Sequence, residues 1–199
     1  MKTAILITVG LIILVFIVAV MIFNKLVRGR NQAKNGFAQI DVQLKRRHDL
    51  IPNLVEAAKS YLVHEQDTLT QVINARSQAK QLQDSPKHAP ESAEHMALFA
   101  QAEGMLSKAL GQLYAVMESY PELKADSIIR EVIDELTNTE NRIGFARQHY
   151  NDSVMFYNND REVFPNNLIS GSFGFRPMSP LEFADKSLIS QAPKIDMSR

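Results

Sequence analysis

The chain has 199 residues, enough for a membrane segment and one domain of ordinary size. Its 22 basic and 22 acidic residues give a formal net charge of 0, so there is no electrostatic footprint for nucleic acid. It contains no cysteine, which excludes disulfides, thiol catalysis, cysteine-based zinc or iron–sulfur sites, and a lipid anchor on a cysteine.

The first predicted element is a membrane helix. Residues 4–23 carry no charge, and only Thr8 and Gly10 are not plainly apolar. At 1.5 Å per residue this stretch spans about 30 Å, the thickness of a bilayer's hydrocarbon core. A cleaved signal peptide is the rival reading. Its apolar region is shorter and ends at small residues, whereas here Met21, Ile22 and Phe23 occupy those places. An uncleaved anchor is therefore expected. Lys25, Arg28, Arg30 and Lys34 follow the span, and only Lys2 and the α-amine precede it. The positive-inside rule then puts a short tail (residues 1–3) outside and the bulk of the chain in the cytoplasm.

Beyond the span, helical periodicity is sustained. Phe37, Leu44, Ile51, Ala58, Val72 and Ala79 share one heptad row, and His48, Val55, Leu62 and Leu69 form the adjoining one. The pattern predicts a first helix from near Asn24 to Gln81, with Gly29 and Gly36 weakening its start. "QLQDSPKHAPES" reads as a loop. A second helix is predicted over 91–119, facing inward with Phe99, Ala102, Leu106, Ala109, Leu113, Val116 and Tyr120. "SYPE" suggests a short turn of helix capped by Ser119. The third long helix is predicted over 127–162, its seam formed by Ile129, Val132, Leu136, Glu140, Ile143, Arg147, Tyr150, Val154 and Tyr157. "FPNN" ends it, because a residue before proline is pushed out of the α region. "SGSFGFRP" reads as a flexible connector, and "SPLE" at 179–182 as the start of a short helix to about Leu188. The expected architecture is all-α: the membrane helix (4–23), an antiparallel up-down-up bundle of three long helices plus short ones (24–176), and a C-terminal tail (177–199).

Charges interrupt the seams. Glu65 and Arg76 lie on the first helix's rows, and Glu140 and Arg147 on the third's. They could snorkel to water at the bundle's edges, form an internal network that fixes helix register, or line a ligand pocket. Pro52 sits within the first helix and removes the donor that would bond the His48 carbonyl. The apolar stripe continues through Ile51 and Val55, so the helix is expected to bend there rather than end. Arg46, Arg47 and Asp49 fall mostly off the stripe and read as a solvated face or a docking surface. His48 reads as a packed or capping histidine rather than a ligand.

"DVQLKRRHDLIPNLVEAAKSYLVHE", "INAR", "ELTNTENRIGFARQHYNDSVMFYNN" and "FPNNLISGSFGF" together resemble the LemA family of bacterial membrane proteins. Asp41, Arg47, Asp49, Leu50, Pro52, Asn53, Glu65 and Arg76 carry the resemblance in the first block. Glu140, Asn141, Arg147, Tyr150, Asn151, Val154, Tyr157 and Asn158 carry it in the second, followed by Phe164 and Pro165. The resemblance implies an N-terminal membrane helix with its tail outside and a helical bundle at the cytoplasmic face of the inner membrane. It also suggests an association with a membrane metalloprotease of envelope quality control, and it extends to a magnetosome protein. It implies no catalytic activity.

The residues themselves agree with a non-enzymatic reading. There is no phosphate-binding GxxxxGK[ST], no GxGxxG and no GxSxG. "HEQDT" lacks the second histidine of HExxH. No glutamate lies three residues before any histidine, as a di-iron bundle needs. No metal or cofactor is expected. The expected role is a membrane-anchored scaffold that self-assembles or binds partner proteins. The anchor has no GxxxG face, so association is expected from the bundle. The alternatives are an adaptor of a membrane protease and, more distantly, an enzyme or ligand-binding protein with an unrecognised polar site in the bundle.

Overall fold

The computed structural model describes residues 1–182. Six helices follow one another: α1 (Lys2–Lys59), α2 (Gln66–Gln83), α3 (Ala93–Met117), α4 (Pro121–Ala125), α5 (Ser127–Glu162) and α6 (Asn166–Ser172). The all-α bundle expected from periodicity is present.

α1 runs 58 residues without interruption, about 87 Å at helical rise. Among the described residues it is the one helix long and apolar enough to cross a membrane, and its most apolar window is wholly unburied. Apolar side chains left without protein cover over that length match a lipid solvent rather than a protein core. The same helix then becomes part of the bundle, with Leu26, Ala33, Ile40, Leu44 and Ile51 buried. Gly29 and Gly36 do not break it. They permit close approach: a Cβ on Gly36 would stand 3.2 Å from Tyr150 Cα, and one on Gly29 3.5 Å from Tyr157 Cδ2.

The long first helix expected to reach Gln81 is two helices. The chain turns back at residues 60–65, where the Ala58 carbonyl accepts from both Tyr61 N and Leu62 N. Glu65, expected on a continuous stripe, is the N-cap residue of α2. Nothing in the turn is a helix breaker. Leu62 is fully buried at the bend, and Tyr61 donates to Asp126 Oδ2 at 3.0 Å, so tertiary contacts set the reversal.

The result is an up-down-up-down bundle of four long helices. α2 returns along α1, with Gln83 bonded to Asp41 and Arg76 to His48. α3 pairs with α2, and α5 runs back along α1 from Glu135 beside Arg46 to Asp160 beside Lys25. Asp126 caps α5, its Oδ1 accepting from Ile128 N and Ile129 N. The Ser119 cap is not formed: α4 begins after Tyr120, with Pro121 in its first turn.

Two further expectations are corrected at the membrane-proximal end. The first three residues of the expected connector at 170–177 close a short helix, Asn166–Ser172, with Ser170 Oγ donating to the Arg161 carbonyl, and the rest of it is not helical. Residues 179–182 are not helical, because the backbone of Ser179 and Leu181 is bonded to other elements. The rest of the helix expected there lies outside the described residues.

Candidate functional site

The buried apolar residues fall into two clusters. The distal one contains Ile51, Leu54, Leu62, Leu106 and Ile129, and the membrane-proximal one Leu44, Phe99, Ile143, Tyr150 and Tyr157. A charged layer lies between them. Arg47 is fully buried, pairs through Nη2 with the equally buried Glu103 on α3, and pairs through Nη1 with Glu140 on α5. Ser107 Oγ accepts from Arg47 Nη1 at 3.3 Å. His48, also fully buried, places Nε2 2.9 Å from Glu103 Oε1, out of line for a hydrogen bond. Burial alone would lower the Arg47 pKa; the charges of Glu103 and Glu140 outweigh it and raise it.

Arg47, which reads from sequence as part of a solvated face or a docking surface, is instead the centre of this layer. A guanidinium can be buried when two carboxylates compensate it. Glu103 escaped the sequence reading, although it lies four residues after Phe99 and three before Leu106, on the buried row of α3. Glu140, for which an edge position, an internal network and a pocket were all open, pairs with Arg47. Its side chain is 43% exposed, so the layer opens to solvent on the α5 side. Burial and the Glu140 charge push the neighbouring Tyr114 hydroxyl up to about 12. Arg147 lies two turns along α5 and is half-buried.

Two polar clusters flank this layer. Arg76 Nε donates to the His48 carbonyl at 2.5 Å, the acceptor that Pro52 leaves without a helical donor. Asp41 accepts from Gln83 Nε2 at 2.8 Å and lies 2.9 Å from His88 Nε2. The His88 ring is enclosed by Phe37, His95 and Phe99. Burial pushes the Asp41 carboxyl up, but bonds from His88 and Gln83 outweigh it and hold the pKa below the usual carboxylate value.

The paired Tyr-Asn motifs of α5 have a common task. Residues 175–181 lie along the bundle as a non-helical strap. Asn151 Nδ2 donates to the Leu181 carbonyl and its Oδ1 accepts from Leu181 N, at 3.1 and 2.9 Å. Asn158 does the same to Met178, at 2.8 and 3.1 Å. Tyr150 and Tyr157 donate to the carbonyls of Ser179 and Arg176. Phe175, Met178 and Leu181 are buried beneath, every third residue, with Pro177 and Pro180 between them. That spacing is the three-residue period of a polyproline-type strand. Seven residues separate the two Tyr-Asn pairs, so both fall on one face of α5.

The remaining sequence-selected residues stand apart from these groups. Asp49, Asn53 and Asn141 are exposed. Glu65 accepts from Tyr120 Oη at 3.4 Å in the α1–α2 turn. Phe164 and Pro165, joined by a cis peptide, form the exposed α5–α6 turn. Among the described residues, no group of three or more His, Asp or Glu side chains is placed to hold a metal ion.

Residues 36–197 match the LemA family. The chain is 24% identical over 166 residues to Protein LemA of Metamycoplasma hominis, covering 79% of this chain and 71% of that protein. It is 32% identical over 75 residues to magnetosome protein MamQ 2 of Paramagnetospirillum magneticum, covering 38% and 28%. It is 23% identical over 172 residues to magnetosome protein MamQ of Magnetospirillum gryphiswaldense, covering 77% and 62%. The chain thus spans less than two thirds of either magnetosome relative. The family match takes in the charged layer, the Tyr-Asn clamps and the strap, and the chain belongs to the LemA family.

Proposed function

We propose that this membrane-anchored helical protein is a non-enzymatic scaffold that assembles through its bundle, with the bundle on the cytoplasmic side of a bacterial inner membrane. The observation that carries this reading is a groove on the outer side of the α1–α5 pair, where Ala38 and Val42 of α1 face Phe145 and Ala146 of α5 and Gln39, Gln43, Arg142 and His149 complete the lining. Val42 and Phe145 are 64% and 75% exposed. Large apolar side chains left together on a surface mark contact with another macromolecule.

The polar groups support the same reading. Arg47, Glu103 and Glu140 are committed to one another, and Asp41 to Gln83 and His88. Buried networks of this kind can specify one packing of helices. The basic residues after the apolar span support the orientation.

The test is the size of the full chain in mild detergent. The reading expects an assembly of several copies that Phe145→Asp and Val42→Asp shift to monomer without loss of helicity. Wild-type protein that remains monomeric at micromolar concentration counts against self-assembly. Adducts to a membrane protease after cross-linking in native membranes would favour the adaptor reading.

A further inference from the structure

We propose that the α5–α6 turn is a second membrane contact: a lipid-facing wedge that enters the interface beside the point where α1 leaves the bilayer. The inference rests on the anchor reading of residues 4–23 and on the level at which the turn lies.

That level is fixed by contacts between α5 and α1. Descending α5, Tyr150 meets Gly36, Tyr157 meets Gly29, and Asp160 pairs with Lys25 at 2.6 Å. The seven residues from Tyr150 to Tyr157 are matched by seven on α1, and the three from Tyr157 to Asp160 by four. Three residues beyond Asp160, at Val163, the chain has reached the height of Ile22 and Phe23, the last turn of the apolar span. α6 stays there. The Phe23 ring contacts Phe173 and Phe175 at centroid distances of 5.2 and 5.5 Å. Ile22, Phe23 and Ile169 pack against the membrane-proximal core. The turn is therefore level with the end of the hydrocarbon segment, whichever side of the membrane the bundle occupies.

At that level the chain presents apolar groups without protein cover. Val163, Phe164, Leu168 and Phe173 are 50%, 78%, 60% and 63% exposed, all within eleven residues. No phenylalanine among the described residues is more exposed than Phe164. Two of the polar side chains in this stretch are turned inward, while Asn167 and Ser172 are exposed. Asn166 Nδ2 donates to the Asp160 carbonyl, and Ser170 Oγ donates to the Arg161 carbonyl. Asn166 and Ser170 are thus bonded inward while four large apolar side chains face outward with Asn167 among them, a mixed but mainly apolar surface of the kind an interfacial element presents. Lys25, Arg28 and Arg161 stand beside it, with Asp160 and Glu162 partly balancing them, so apolar insertion rather than charge drives the contact. A helix held by one span alone is free to tilt; a wedge at its foot fixes the lean of the bundle.

The chain contains no tryptophan, so one introduced tryptophan is a sole reporter under selective excitation. Three full-length single variants are reconstituted in phosphatidylethanolamine–phosphatidylglycerol vesicles carrying lipids spin-labelled either near the headgroup or deep in the acyl chain. Phe164→Trp reports the turn. Ile12→Trp reports the anchor. Ile128→Trp reports an exposed face of the bundle outside the α1–α5 groove, roughly 50 Å farther out by helical rise. All three positions are exposed, so the fold tolerates the changes.

The expected result is strong deep-label quenching at 12, and shallow-label quenching at 164 several-fold above that at 128. Emission at 164 should be blue-shifted relative to 128. Quenching at 12 with none at 164 overturns this inference and leaves the anchor intact. Absence of lipid quenching at both overturns both. A blue-shifted but unquenched 164 means protein covers the turn, which also overturns the lipid assignment.

Discussion

Arg76 Nε lies 2.5 Å from the His48 carbonyl oxygen, the acceptor that Pro52 deprives of its helical donor. A proline within α1 is thereby coupled to α2. Arg76→Met should destabilise the fold by about 1–3 kcal/mol, as expected for a lost charge-assisted bond to a shielded acceptor. In a Pro52→Ala background the backbone amide of residue 52 can take over the His48 carbonyl, so the same change should cost less. Denaturation of the four proteins as a double-mutant cycle measures the coupling. Additive effects would show that Arg76 does not act through that carbonyl.

The charged layer predicts a rank order. Arg47→Met leaves Glu103 buried without a counter-charge and should cost about 3–5 kcal/mol. Glu140→Gln alters a half-exposed partner and should cost about 1 kcal/mol or less. Arg47→Met with Glu103→Leu removes both buried charges and should recover much of the loss. Thermal or denaturant melts in one detergent give the order.

Asp41 predicts an acid limb. Its carboxyl titrates below the usual value in the folded state, so its contribution is present above the unfolded pKa, near 4, and declines as pH falls through the folded pKa. Asp41→Asn should be less stable than wild type at neutral pH, with the two converging in strong acid. Melting temperature against pH for both proteins tests this; parallel curves would contradict it.

The strap predicts local exchange. Asn158→Leu removes both bonds to Met178, and Asn151→Leu both bonds to Leu181. Each should raise amide hydrogen exchange at its own partner residue, with less change in α2 or α3. The direct loss is about 1–2 kcal/mol per clamp.

How much of this was legible before the structure differed by element. α5 was readable to its ends because its three- and four-residue steps run unbroken from Ile129 to Tyr157 and a proline follows. The reversal at 60–65 was hidden. Leu62 and Leu69 keep the heptad phase across it, and neither glycine nor proline marks it. Glu103 had the right spacing for burial, but a lone carboxylate among alanines reads as surface until Arg47 faces it. The strap misled in another way. Ser179, Pro180 and Glu182 spell a helix start, while the groups that keep the segment extended lie about 30 residues earlier, on α5.

The central claim is that this bundle works by contact, through the groove between α1 and α5 that exposes Val42 and Phe145. Because the chain has no cysteine, Phe145→Cys provides a single addressable thiol at that groove. Oxidation in native membranes should yield a covalent dimer at 145. Lys108→Cys, on the exposed outer side of α3, should remain monomeric. Equal yields at the two positions, or no adduct at 145, would contradict the account.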